Sequence, residues 1–101
     1  MKKIIDGKLY NTETAKKIAS YWNGYPRGDF KYVSKVLYQK KTGEYFLYAK
    51  GGPMTEYAEP VWGGMTYGEV IIPYTEEEAK DWAVRHLDAD EYMKLFGEVE
   101  E

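Results

Sequence analysis

Few residues in this chain have a type and spacing that could do chemistry. There is one histidine, His86, no cysteine, and a run of three carboxylates at Glu76-Glu77-Glu78. Without cysteine there is no disulfide framework, thiolate metal site or thiol nucleophile. Ser20 and Ser34 lie in no nucleophile motif. His86 follows Trp82 and Ala83 at helical spacing, which places it on a packed helix face and makes it a structural residue before a proton carrier. Consecutive carboxylates point in different directions around a helix, and a helix start favours acids through its dipole, so Glu76 to Glu78 read as a helix N-terminus and not as a cation site. No spacing singles out a pair of carboxylates for glycosidase chemistry. Gly63-Gly64 lacks both the Lys-Ser/Thr of a phosphate loop and the spaced glycines of a dinucleotide fingerprint. The reading is therefore non-enzymatic, with no catalytic residue, no metal site and no cofactor.

The chain is better supplied with residues that make contacts. It holds 11 tyrosines, and 17% of its residues are aromatic, a content common to recognition surfaces and to small β-rich cores. Residues 52–68, GPMTEYAEPVWGGMTYG, show neither a helix nor a strand period and are predicted to be one long loop. Such loops are usually functional or disordered, and Tyr57, Trp62, Met65 and Tyr67 make this one too apolar for disorder. They either fold back over the core or form a contact surface. A second candidate surface is acidic and comprises Glu76, Glu77, Asp81, Asp88 and Asp90. Partner-binding candidates are thus Tyr57, Trp62, Met65 and Tyr67 together with these five acids.

Charge divides the chain in two. Residues 1–50 carry 11 Lys/Arg against 4 Asp/Glu, while residues 51–101 carry 3 against 13. The protein has a basic and an acidic side if the halves stay apart, and a neutralised surface if they interleave. A basic half rich in lysine and tyrosine suits a phosphate backbone, although no RNP, KH or helix-turn-helix signature is present. The acidic half could instead occupy a basic groove of another protein in the manner of nucleic acid.

These residues must be positioned by a single domain, residues 1–101. Its centre is the stretch Lys31 to Gly52, where two aromatic and β-branched arms flank a turn at Lys41-Thr42-Gly43. Tyr45, Leu47 and Ala49 face one side and Phe46 and Tyr48 the other. Both sides are apolar, so the strand is covered on both faces or has one face sticky with tyrosine, and Tyr38 pairs with Tyr48 across the hairpin. Asp6-Gly7 predicts a short type I′ ribbon between Lys3 and Tyr10. Ala15, Ile18, Ala19 and Trp22 fall at i, i+3, i+4 and i+7, which predicts a first helix from Glu13 to Trp22, capped by Asn11 or Thr12. Tyr25 to Asp29 is a loop. Glu69 to Tyr74 is a short strand whose Pro73 marks an edge. Thr75 and Glu78 form a capping box for the helix carrying Trp82, and Glu91 to Phe96 forms a last helix with Tyr92, Leu95 and Phe96 inward and Gly97 as its stop. The expected architecture is α+β: a small antiparallel sheet of about three to five strands on the central hairpin, covered on one face by two amphipathic helices.

The first residues, Met-Lys-Lys-Ile-Ile-Asp, lack the continuous apolar core of a signal peptide, and no run approaches the roughly 18 apolar residues of a membrane span. The expected setting is cytoplasmic, with no membrane partner and no small-molecule substrate.

Three stretches, IIDGKLYNTETAKKIASYWNG, TGEYFLYAKGGPMTEYA and IIPYTEEEAKDWAVRHLDADEYMKLFG, resemble a family of small proteins carried on mobile elements of Gram-positive bacteria. Some members of this group have been described as anti-CRISPR proteins acting on the type II effector nuclease. The shared motifs concern packing and turns, and no family motif of functional residues carries over. The resemblance implies a non-enzymatic inhibitor that binds the effector nuclease or its guide RNA and prevents assembly of the working complex. Two other readings stand beside it: a mobile-element accessory protein that binds nucleic acid through its basic half, and a protein-interaction module unrelated to defence.

Overall fold

The computed structural model describes residues 1–101 and contains eight strands and two helices. The centre is an antiparallel four-stranded sheet in the order β3-β4-β5-β8, made of β3 (Lys16–Trp22), β4 (Val33–Gln39), β5 (Tyr45–Gly51) and β8 (Gly68–Tyr74). The predicted hairpin is its middle: β4 and β5 pair in continuous register from Val33↔Gly51 to Gln39↔Tyr45. Pro73 lies on the edge strand β8, where a missing N–H costs no ladder bond.

Alternation along β4 and β5 sends Leu37, Leu47 and Ala49 to one face and Tyr38 and Phe46 to the other. The first set meets Ala79, Trp82 and Ala83 of α1 (Glu76–His86), with Tyr92 and Phe96 of α2 (Ala89–Phe96) packed alongside. Thr75 caps α1 in the expected box: its Oγ1 accepts from the Glu78 N–H at 3.1 Å, and the Glu78 carboxylate accepts from the Thr75 N–H at 2.9 Å. Asp88 caps α2 by accepting from the Glu91 N–H at 2.8 Å, so this helix starts two residues before the expected Glu91. Leu95, expected inward, is exposed.

The opposite face is covered at one end by a two-stranded ribbon, β1 (Lys2–Ile5) and β2 (Lys8–Asn11). Asp6 and Gly7 take φ of 51° and 77°, the two left-handed positions that a type I′ turn requires. Tyr10 from this ribbon packs edge-on against Phe46, which in turn stacks on Tyr38 at 5.2 Å between ring centroids. Both faces of the central strand are thus covered. The partner of Tyr38 is Phe46, however, and not Tyr48, which lies opposite Val36 and donates its hydroxyl to Glu69 at 2.7 Å.

Two expectations about secondary structure are also overturned. Residues 16–22 form strand β3 and not the tail of a helix starting at Glu13. The cause is a bulge between Lys17 and Ala19, which lets the adjacent Ile18 and Ala19 both pack on the helix-side core and so imitates an i+3/i+4 helical doublet. Asn11, proposed as a cap, instead makes a turn in which its side-chain oxygen accepts from the Glu13 N–H at 2.9 Å. The second correction concerns residues 52–68. They contain a second ribbon, β6 (Glu59–Val61) paired with β7 (Gly64–Thr66), turning at Trp62-Gly63. Three-residue strands are too short to declare a period.

No helix is long and apolar enough to cross a membrane. The molecule is elongated, 51 × 33 × 19 Å, with a radius of gyration of 14.9 Å against about 13 Å for a compact chain of this length.

Candidate functional site

The β6–β7 ribbon stands on a tightly built base. Gly51 and Gly52 end β5 against the β3–β4 connection (residues 23–32), and a Cβ at Gly52 would come within 2.5 Å of the Phe30 carbonyl oxygen. The Met54 N–H donates to that same oxygen at 2.9 Å, and Thr55 Oγ1 donates to the Gly52 carbonyl at 2.8 Å. On the return side a Cβ at Gly68 would collide with the Tyr57 carbonyl oxygen. Only glycine permits this crossing of the two ends of the excursion.

Above this base no side chain of the ribbon is buried. All six strand residues are exposed, and Trp62 at the tip is 101% accessible, as open as in an unfolded chain. Val61 and Met65 are each half exposed beside it. The four aromatic-loop candidates therefore separate. Tyr57 packs against the helix-side core, where burial and the neighbouring Glu56 raise its phenol above the ordinary value. Tyr67 is exposed, though less so than Trp62 and Met65: partial burial first, then Tyr32 and Glu69, push its phenol up, while Arg27 opposes them. Trp62 and Met65 face solvent. Of the two outcomes left open for this segment, Tyr57 takes the first and Trp62 and Met65 the second.

The sequence reading missed the company these residues keep. Trp22, Tyr25, Phe30 and Met54 are also exposed. They belong to the end of β3, the β3–β4 connection and the start of the excursion, where Trp22 Nε1 donates to the Tyr25 carbonyl at 2.6 Å. One end of the sheet thus carries a concentration of apolar side chains open to water. A signal for the ribbon was present: Gly63-Gly64 between Val61-Trp62 and Met65 is turn chemistry between apolar residues.

The acidic candidates are all exposed. Part of their charge serves the helices. Glu76 sits 3.6 Å from Lys80, Asp88 caps α2, and Asp90 lies in the first turn of α2 where an anion complements the dipole. Glu77 and Asp81, one turn apart on α1, are in no ion pair. His86 sits between Tyr21 and Trp82, with ring centroids 4.3 and 4.9 Å away. Burial lowers its basicity, and Lys35 and Arg85 lower it further.

No ion pair joins the two charged halves, although Lys50 stands opposite Glu69 where β5 meets β8. Each of the ion pairs, Lys8–Glu44, Lys40–Glu44 and Lys80–Glu76, joins residues of the same half. The halves meet where β5 pairs with β8 and where the helices cover the sheet, so the acidic helices lie on one face and the lysine-rich ribbon on the other.

Comparison with protein-family models, with curated proteins and with solved structures yields no match to this chain.

Proposed function

We propose that this protein is a non-enzymatic inhibitor that binds a type II CRISPR effector nuclease and keeps it from assembling into a working complex, gripping it through the β6–β7 ribbon. The resemblance noted in the sequence supplies the partner. The observation that carries the mode of action is Trp62, fully exposed at the tip of a ribbon none of whose side chains is buried. Tryptophan loses most by staying wet and is the residue most enriched among interface anchors. Its half-exposed neighbours Val61 and Met65 extend the apolar tip, and the glycine-locked base holds it in a fixed direction, so little ordering remains to be done on binding.

The test is capture of the protein on immobilised effector nuclease, with and without guide RNA, at low and high salt. Capture should be strongest on the bare nuclease, weaker once guide RNA is loaded, and little changed by salt. Trp62→Ala should weaken it by about ten-fold or more, the scale of a buried aromatic anchor. A folded Trp62→Ala variant captured as well as the parent would remove the ribbon from the mechanism. Absence of capture in every state would end the inhibitor reading.

A further inference from the structure

At the end of the sheet away from the apolar ribbon, the β2–β3 connection and the β4–β5 turn enclose an open bowl in two adjoining lobes of about 130 and 270 Å³. Its polar lining is Asn11, Thr14, Lys16, Gln39, Lys40 and Lys41. Strand β4 runs from the apolar end at Val33 to this end at Gln39, a separation of roughly 20 Å at strand rise. The acids beside the bowl do not balance its lysines. Against Lys8, Lys16, Lys40 and Lys41 stand Glu13, Glu44 and, beyond Gln39, Glu76; Glu44 is held by Lys8 at 2.8 Å and Lys40 at 3.6 Å, and Glu76 by Lys80 at 3.6 Å. Lys40 is fixed in place, with its ammonium 3.7 Å from the centre of the Tyr10 ring. The amide of Asn11 and the hydroxyl of Thr14 add uncharged hydrogen-bonding groups to the same wall.

We infer that this bowl binds the phosphodiester backbone of single-stranded nucleic acid, without reading its sequence. The composition argues against a protein occupant: lysine is depleted at protein interface cores, which carry aromatic or arginine anchors, and the lining contains neither. Lysine acts on phosphate as a point charge and makes no planar two-bond fork to a base edge. RNA and DNA therefore bind alike. The surface is distinct from the ribbon proposed to grip the nuclease, and it requires no nuclease for its test.

The experiment measures fluorescence anisotropy of labelled single strands of about 20 nucleotides, one RNA and one DNA of mixed sequence, between about 50 and 200 mM salt. The parent should bind both within a few-fold of each other, with log affinity falling against log salt at about 0.7 per phosphate contacted. Lys16→Gln combined with Lys41→Gln removes two exposed contacts while leaving the packed Lys40, and should lower that slope by about 1.4. Trp62→Ala should leave both affinity and slope unchanged. Any one of three results overturns the assignment: no binding at the lowest salt, an unchanged slope in the double variant, or a preference for one nucleic acid beyond about ten-fold. The first of these, together with salt-sensitive capture on the nuclease, would give the bowl to an acidic protein surface.

Discussion

The two ribbons are the same device put to opposite uses. Both are short antiparallel hairpins closed by two-residue turns, and they are associated with opposite ends of the central sheet. β1–β2 turns Tyr10 into the sheet against Phe46, lays Lys40 over its ring, and ties its start to its end where the N-terminal ammonium donates to Thr12 Oγ1 at 2.8 Å. β6–β7 buries nothing and keeps its tryptophan in water. A two-stranded hairpin is marginal by itself, so each is held by something outside its own strands. For β1–β2 that is side-chain burial, and for β6–β7 it is the backbone crossing at Gly52 and Gly68. A ribbon fixed from its base leaves its side chains free for another surface.

The sharpest way to break this contrast is to remove the anchor of the first ribbon. Tyr10→Ala empties a buried ring site and should cost about 3 kcal/mol of stability, as for other buried aromatic truncations, measured by urea unfolding. Trp62→Ala should change stability by less than about 0.5 kcal/mol, the range of surface substitutions, while removing much of the capture on the nuclease. If the two variants lose similar stability, the ribbons are not different in kind. Next in size is Gly68→Ala. Its new methyl meets the Tyr57 carbonyl, and relieving that contact should cost about 1 to 3 kcal/mol. The same change should weaken capture although it leaves Trp62 in place, because the direction of the ribbon is lost. Capture at parental strength by a destabilised Gly68→Ala variant would show that the base does not aim the tip.

Most of the sheet was legible in the sequence because each of its signals was local. Thr42-Gly43 between aromatic arms, Asp6-Gly7 between apolar pairs, and Thr75 with Glu78 each specify a turn or cap within four residues, and all formed as expected. The α+β class followed from them. β3 was misread because its bulge places Ile18 and Ala19 on one face, and no local feature of LysLysIleAlaSer distinguishes that from a helical stripe. The second ribbon was hidden by strands of three residues. Within the candidate site, the sequence singled out Trp62 by its type and its place in an irregular stretch, yet its exposure depends on Gly52 and Gly68 closing against backbone carbonyls of Phe30 and Tyr57. Such contacts exist only once the chain has folded. The segregation of charge was visible as a division of the sequence, but only the topology decides that no ion pair crosses it.

The smallest expected effect comes from the face that neither ribbon touches. His86 is packed between Tyr21 and Trp82, and burial, with Lys35 and Arg85 nearby, lowers its pKa from the ordinary 6.5. The unfolded chain therefore takes up the proton more readily than the folded one. Its contribution to stability is complete above about pH 6.5 and declines as pH falls below that value toward the lowered folded pKa. It is the only histidine, and no other side chain type ordinarily titrates between pH 7 and 5.5, so a small fall in unfolding midpoint across that interval belongs mainly to it. His86→Phe keeps a ring between Tyr21 and Trp82 and should flatten the fall. Because the loss arises on the helix face, it should lower parent, Tyr10→Ala and Trp62→Ala alike and leave the difference between the two ribbon variants unchanged. A difference that varied with pH across this interval would mean that the helix face and the Tyr10 cluster communicate through the sheet, and that the first ribbon is held by more than its own buried ring.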